Sequence, residues 1–140
     1  MAPEKRKAGK RRLADMNAAE PERPWAPELE PEEPWEQAIL ISEDVQYRQK
    51  LFHDAYGRLA DWVVVQMRRL EGRWLRVAVY DICHGKGVHV HLYDREGMEF
   101  TETPLRQVAS YQDVEEGFDY ALDRVVEHWQ ENEWRSDRGY

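Results

Sequence analysis

Residues 62–93 read WVVVQMRRLEGRWLRVAVYDICHGKGVHVHLY, and this stretch decides the fold. Runs rich in valine, isoleucine and aromatic residues are separated by Glu71-Gly72 and by Cys83-His84-Gly85-Lys86-Gly87. Such side chains suit a pleated surface, and glycine supplies the positive φ of a two-residue hairpin turn. The pattern predicts an antiparallel meander with strands over 59–70, 73–82 and 88–93.

Working outward, Asp94-Arg95-Glu96-Gly97 is a further turn, leading to a short strand over 98–101. On the other side, Asp54-Ala55-Tyr56-Gly57 carries the Asp-first, Gly-fourth preference of a type I turn. Residues 43–56 read either as a helix capped by Ser42-Glu43-Asp44 or as a strand, and the turn favours a strand over 47–53. A helix is expected over 113–129, with Asp113 and Glu116 at capping-box spacing. Its apolar face is Val114, Phe118, Ala121, Leu122, Val125 and Trp129, and its acidic residues point mainly away. The expected class is α+β: an antiparallel β-meander of three to five strands with a C-terminal amphipathic helix packed on one face.

Residues 1–36 read as a disordered tail, and residues 37–140 as one small domain. The tail opens on a basic segment, 5–12, and continues into the acidic, proline-rich EPERPWAPELEPEEPWE. Proline lacks a backbone donor and pushes its neighbours out of helix. The block has too little apolar surface to offset ordering entropy. Trp25 and Trp35 stand out in it as candidate anchors on a partner.

Composition narrows the classes. The 140-residue chain carries a net charge of -8, so broad electrostatic binding to nucleic acid is not expected, except through segment 5–12. One cysteine, Cys83, excludes an intrachain disulfide and fits a reducing cytoplasm. No apolar stretch follows the basic N-terminus, so no signal peptide is expected. The longest apolar runs are four residues, too short to span a membrane.

Register follows from the turns. Glu71-Gly72 pairs Leu70 with Arg73, and hence Val64 with Val79 and Trp62 with Asp81. A five-residue loop over 83–87 pairs Ile82 with Val88, Asp81 with His89 and Val79 with His91. Side chains alternate across a sheet. Val63, Val65, Ala78, Tyr80, Ile82, Val88, Val90 and Leu92 are thus expected under the helix. Trp62, Val64, Val77, Val79, Asp81, His89, His91 and Tyr93 are expected on the open face.

Asp81, His84, His89 and His91 form the candidate catalytic set. Imidazole, thiolate and carboxylate are also zinc ligands, so a divalent metal is conceivable here, but all candidates lie in one hairpin without a second cluster such as CxxC. His89, His91 and Glu96 match a cupin fragment, but no second cupin motif follows. Tyr93 replaces the third histidine of a histidine-triad hydrolase. A metal-free acid–base site remains, as in small toxin-like ribonucleases, with Lys86, Arg68 or Arg76 to stabilise phosphate charge.

The chain resembles a family of small, functionally uncharacterised bacterial proteins. The residues carrying the resemblance are Val63-Val64-Val65-Gln66, Gly72-Arg73-Trp74, Tyr80-Asp81 with His84-Gly85 in a Y-D-x-x-H-G turn, His89 and His91, and Asp94 with Gly97. The resemblance implies the strand-and-helix architecture and no established activity. The leading expectation is a non-enzymatic cytoplasmic module. It binds a protein partner, or forms a homodimer, through Trp62 and Tyr93 on the open face and Trp25 and Trp35 in the tail, and it requires no cofactor. The alternative is a nuclease-like enzyme, metal-free or metal-dependent, using Asp81, His84, His89 and His91.

Overall fold

The structure, a computed structural model, describes residues 13–14, 17–18, 25, 27, 34–83 and 87–140. The basic segment 5–12, most of the acidic block, His84 and Lys86 lie outside the described residues. Leu13–Ala14 and Asn17–Ala18 pair in a separate two-residue ladder.

Strands β1 (Trp35–Ser42), β2 (Val45–His53), β3 (Leu59–Leu70), β4 (Arg73–Cys83), β5 (Gly87–Tyr93) and β6 (Glu99–Arg106) form one antiparallel sheet in sequential order. Helix α1 (Tyr111–Arg138) follows. The fold is the expected α+β meander with one C-terminal helix, but with six strands rather than three to five. Segment 43–56 contributes a strand. The first strand of the sheet starts at Trp35, two residues ahead of the expected domain boundary, and the last strand runs five residues past 101.

The turns explain the meander. Glu71 and Gly72 have φ of 52° and 78°, the left-handed pair that lets a two-residue turn follow the twist of its strands. Asp54 and Asp94 each close a hairpin in the same way. The backbone carbonyl accepts from the glycine three residues on, and the carboxylate accepts from the next N–H groups. Burial opposes ionisation of Asp54. These hydrogen bonds, with Tyr111 and Arg58, nevertheless hold its carboxyl well below the usual range.

The expected register holds from Leu70–Arg73 only as far as Met67–Arg76; Gln66 then faces Ala78, which leaves Val77 as an extra residue in β4. Val64 pairs with Tyr80 and Val63 with Asp81, not Val79 and Trp62 with their expected mates. An odd insertion swaps the faces of one strand relative to the other. Trp62 and Val64 therefore lie under the helix with Ala78, Tyr80, Ile82, Val88, Val90 and Leu92, while Val63 and Val65 turn to the open face. Trp62 is fully buried, and its Nε1 donates to the Val114 carbonyl at 2.9 Å. This corrects its expected place on the open face.

Helix α1 is longer than expected at both ends. Ser110, not Asp113, is the N-cap, and its hydroxyl accepts from the Asp113 N–H at 3.1 Å. The inward stripe begins Val114, Gly117, Ala121, Val125 and continues with buried Asn132 and Ser136. The polar half of that stripe meets polar residues on β3. Asn132 Nδ2 donates to Gln66 Oε1 at 2.9 Å and to the Tyr80 hydroxyl at 3.0 Å. Arg68 donates to Ser136 and pairs with Asp137 at 2.8 Å. The helix breaks regular geometry at His128 (φ -130°, ψ 21°), and just past it Gln66 Nε2 donates to the Trp129 carbonyl at 3.0 Å. A side chain reaching into the helix ladder is a recognised cause of such a bend. Gly117 allows the close approach at the other end, because a Cβ there would sit 2.8 Å from Val88 Cγ2.

Two stability predictions follow from these contacts. Gly87 has φ 101°, and a Cβ there would run into the Arg106 carbonyl, whereas Gly97 has open space around it. Gly87→Ala is expected to cost at least about 3 kcal/mol, and Gly97→Ala about 1–2 kcal/mol, in urea unfolding. Gln66→Leu removes one acceptor of the Asn132 amide, which keeps the Tyr80 hydroxyl, and the donor to the Trp129 carbonyl, with an expected loss of about 1–3 kcal/mol by the same measurement.

Candidate functional site

The face opposite α1 is built from register-matched rows. One row reads Glu36, Lys50, Val63, Asp81, His89, Pro104 across β1 to β6. The next reads Ala38, Arg48, Val65, Val79, His91, Glu102. Beyond them Met67 faces Arg76 and Tyr93 faces Glu99. The face thus carries cations on β2, apolar side chains on β3, and carboxylates on β6. Between Arg48, Lys50, Val63, Val65, Met67 and Arg76 lies a depression of about 280 Å³.

Asp81 and His89 are direct cross-strand partners, and Val79 faces His91, as the loop length predicts. The side chains then part company. His91 Nε2 lies 3.3 Å from Asp81 Oδ1, and its Nδ1 lies 3.3 Å from Glu99 Oε2. His89 instead turns its Nδ1 to the Gly87 carbonyl at 3.1 Å and is buried. Of the expected catalytic set, the structure joins Asp81 to His91, directs His89 elsewhere, and does not describe His84. Burial lowers the basicity of His91. The Glu99 hydrogen bond, the charges of Asp81 and Glu99, and the Asp81 hydrogen bond outweigh it and raise its pKa above the ordinary imidazole value.

Glu99 and Glu102 are the residues that sequence reasoning missed. Glu99 lies inside the short strand expected over 98–101 and Glu102 one residue past it, and no motif marks them. Ligand atoms of His91, Glu99 and Glu102 lie within 4.8 Å of one another, a set that could hold a divalent cation. Asp81 would then orient the ring from its other nitrogen, the usual role of a carboxylate behind a metal-bound imidazole.

The aromatic candidates scatter. Tyr93 lies on the open face, 7% exposed, with the Arg76 guanidinium 4.4 Å above its ring. Trp25 packs edge-on against Tyr111 at 5.2 Å, at the start of α1. Trp35 is half exposed on edge strand β1, beside Leu51, which packs against the core. Among the described residues no helix is long and apolar enough to cross a membrane.

A sequential antiparallel sheet with one helix on one face and a charged open face defines a small α+β domain. The chain belongs to the DUF7718 family, a domain of unknown function, whose model matches residues 30–138. No curated protein and no solved structure matches the chain.

The geometry around His91 gives a prediction with a sign. The raised folded-state pKa means that protonated His91 stabilises the fold. That contribution is complete below the unfolded value of about 6.5 and is lost as pH rises through the folded value. Asp81→Asn and Glu99→Gln are each expected to lower the His91 pKa toward 6.5 in an NMR titration, and the double variant is expected to flatten this part of the stability–pH curve. A His91 titration unmoved by both substitutions contradicts the assignment.

Proposed function

We propose that this chain is a non-catalytic protein-interaction module of the cytoplasm that docks its partner on the open sheet face. One observation carries the reading: half-buried Val63, Val65 and Met67 lie between exposed Arg48 and Lys50 on one side and exposed Glu99 and Glu102 on the other. An apolar centre with a charged rim is the arrangement of specific protein interfaces. Among the described residues neither Arg48 nor Lys50 has an ion-pair partner. Tyr93 lies on this face beneath Arg76, while Trp62 lies in the core.

The nuclease-like alternative needs Asp81, His84, His89 and His91 to act together. Of its described members His89 turns away to the Gly87 carbonyl, and Asp81 and His91 join beside Glu99 and Glu102, whose carboxylates repel a phosphate. The interaction reading therefore leads.

The test is comparative capture from cells that co-express tagged and untagged chains. Val65→Asp places a charge at the centre of the face, and Trp134→Ala alters an exposed residue of the helix. The wild type and Trp134→Ala are expected to retain the same partner. Val65→Asp is expected to lose it at least about tenfold, as for a central interface position. Retention that Val65→Asp leaves unchanged overturns the proposal.

A further inference from the structure

We infer that His91, Glu99 and Glu102 form a zinc site on β5 and β6, with Asp81 on β4 positioning the imidazole from behind. The site lies at the acidic rim of the open face, and its occupancy does not depend on a docked partner.

A bulge brings the three ligands together. His91 and Glu102 are direct cross-strand partners, so their side chains leave the sheet side by side. Glu99 is three residues from Glu102, and on a regular strand it would point to the opposite face. The register shift between Leu92 and Tyr93 changes this. Leu92 faces Thr101, Tyr93 faces Glu99, and Phe100 is the extra residue. Glu99 thereby returns to the face of His91 and Glu102. One ligand atom from each of the three lies within 4.8 Å of the other two.

The spacing suits a shared metal ion. Zinc holds imidazole nitrogen and carboxylate oxygen at about 2.0–2.2 Å, so the donor atoms of a tetrahedron around it stand roughly 3.3–3.5 Å apart. His91 Nδ1 and Glu99 Oε2 are 3.3 Å apart, the edge of such a tetrahedron. A charge-assisted hydrogen bond would be shorter, about 2.7–2.9 Å. Glu102 is exposed, so rotation of its side chain can bring an oxygen to the third corner. Glu99 is exposed as well, and water completes the coordination from the solvent side.

The ring is held in place for this role. Its Nε2 lies 3.3 Å from Asp81 Oδ1, where one carboxylate stands rather than two. With Nδ1 on the metal, the Nε2–H donates to Asp81, which fixes both tautomer and orientation. Among the described residues no lysine or arginine pairs with Glu99 or Glu102. Two carboxylates this close repel each other, and a divalent cation between them removes the repulsion. The donor set selects the metal. Calcium and magnesium take shells of oxygen, whereas an imidazole with carboxylates suits zinc. Bound there, zinc ties the edge strand β6 to β5.

Isothermal titration of the chelator-treated full chain with zinc chloride, at neutral pH in a non-chelating buffer, tests the site. One zinc per chain is expected, with a rise in Tm at saturation. His91→Ala, Glu99→Gln and Glu102→Gln are each expected to weaken binding at least about tenfold, and Asp81→Ala about tenfold. Asp81→Asn keeps an acceptor for the Nε2–H and is expected to lose less. Melts without zinc confirm that each variant folds, and the two glutamines replace exposed carboxylates at constant size. Cys83→Ser removes the chain's one thiol and is expected to bind as the wild type does. In NMR spectra of the imidazole nitrogens, zinc is expected to shift His91 Nδ1 and to leave His89, whose Nδ1 faces the Gly87 carbonyl. No saturation by about 1 mM zinc overturns the site. So does binding that His91→Ala leaves unchanged or that Cys83→Ser abolishes. Affinity that Asp81→Ala leaves unmoved overturns the positioning role of Asp81.

Discussion

Val77 has no partner on β3. Gln66 faces Ala78 and Met67 faces Arg76, and the extra residue between them inverts which side of β3 belongs with which side of β4. The core depends on this. With Trp62 and Val64 turned toward α1, the indole can donate to the Val114 carbonyl and pack edge-on against Phe118 at 5.8 Å. With Gln66 and Arg68 turned the same way, the second half of the helix has partners for Asn132 and Ser136. The open face receives Val63, Val65 and Met67 in exchange. A single unpaired residue thus distributes a large aromatic to the core and a smaller apolar strip to the surface.

The parts of the fold that could be read from the chain are those with local causes. Asp54-x-x-Gly57, Glu71-Gly72 and Asp94-x-x-Gly97 mark their turns by residues whose backbone chemistry the turns need. The Asp81–His89 and Val79–His91 pairings follow from a glycine-bounded loop of fixed length. The bulge has no such mark. Inside Arg73–Cys83 any one of several β-branched or small residues could be the extra one, and only the fit against the helix selects Val77. The end of α1 was hidden for a related reason. Its inward stripe turns polar after Val125, and a polar stripe reads as solvent-facing until Gln66, Tyr80 and Arg68 are placed opposite it.

The candidate site divides in the same way. His91 and Asp81 share a face because the loop length pairs Asp81 with His89 and alternation returns His91 to the same side, both of which a sequence shows. The ring of His89 accepts a different fate because a backbone carbonyl two residues away competes for its nitrogen. Glu99 and Glu102 enter through β6, a strand whose register against β5 shifts twice, between Val88 and His89 and again between Leu92 and Tyr93. No spacing rule survives two shifts. The resulting face is electrically polarised from β2 to β6, and His91 sits within its acidic end.

The helix is fastened to the sheet at both ends by hairpins. Arg58, just past the Asp54 turn, stacks on Tyr111 at 4.0 Å, and Arg95, in the Asp94 turn, pairs with Asp137 at 3.0 Å. This has a consequence for the order of assembly. Every strand pairs with its neighbour in the chain, so the sheet can zip up hairpin by hairpin during synthesis, with short loops to close. The contacts that cover its core face span far more chain: Trp62 to Val114 is 52 residues, and Arg68 to Ser136 is 68. A nascent chain that has paired all six strands still exposes Trp62, Val64 and Val90 until the helix emerges. For that interval both faces of the sheet are bare, and the ribosome-bound intermediate is the state most in need of protection from aggregation.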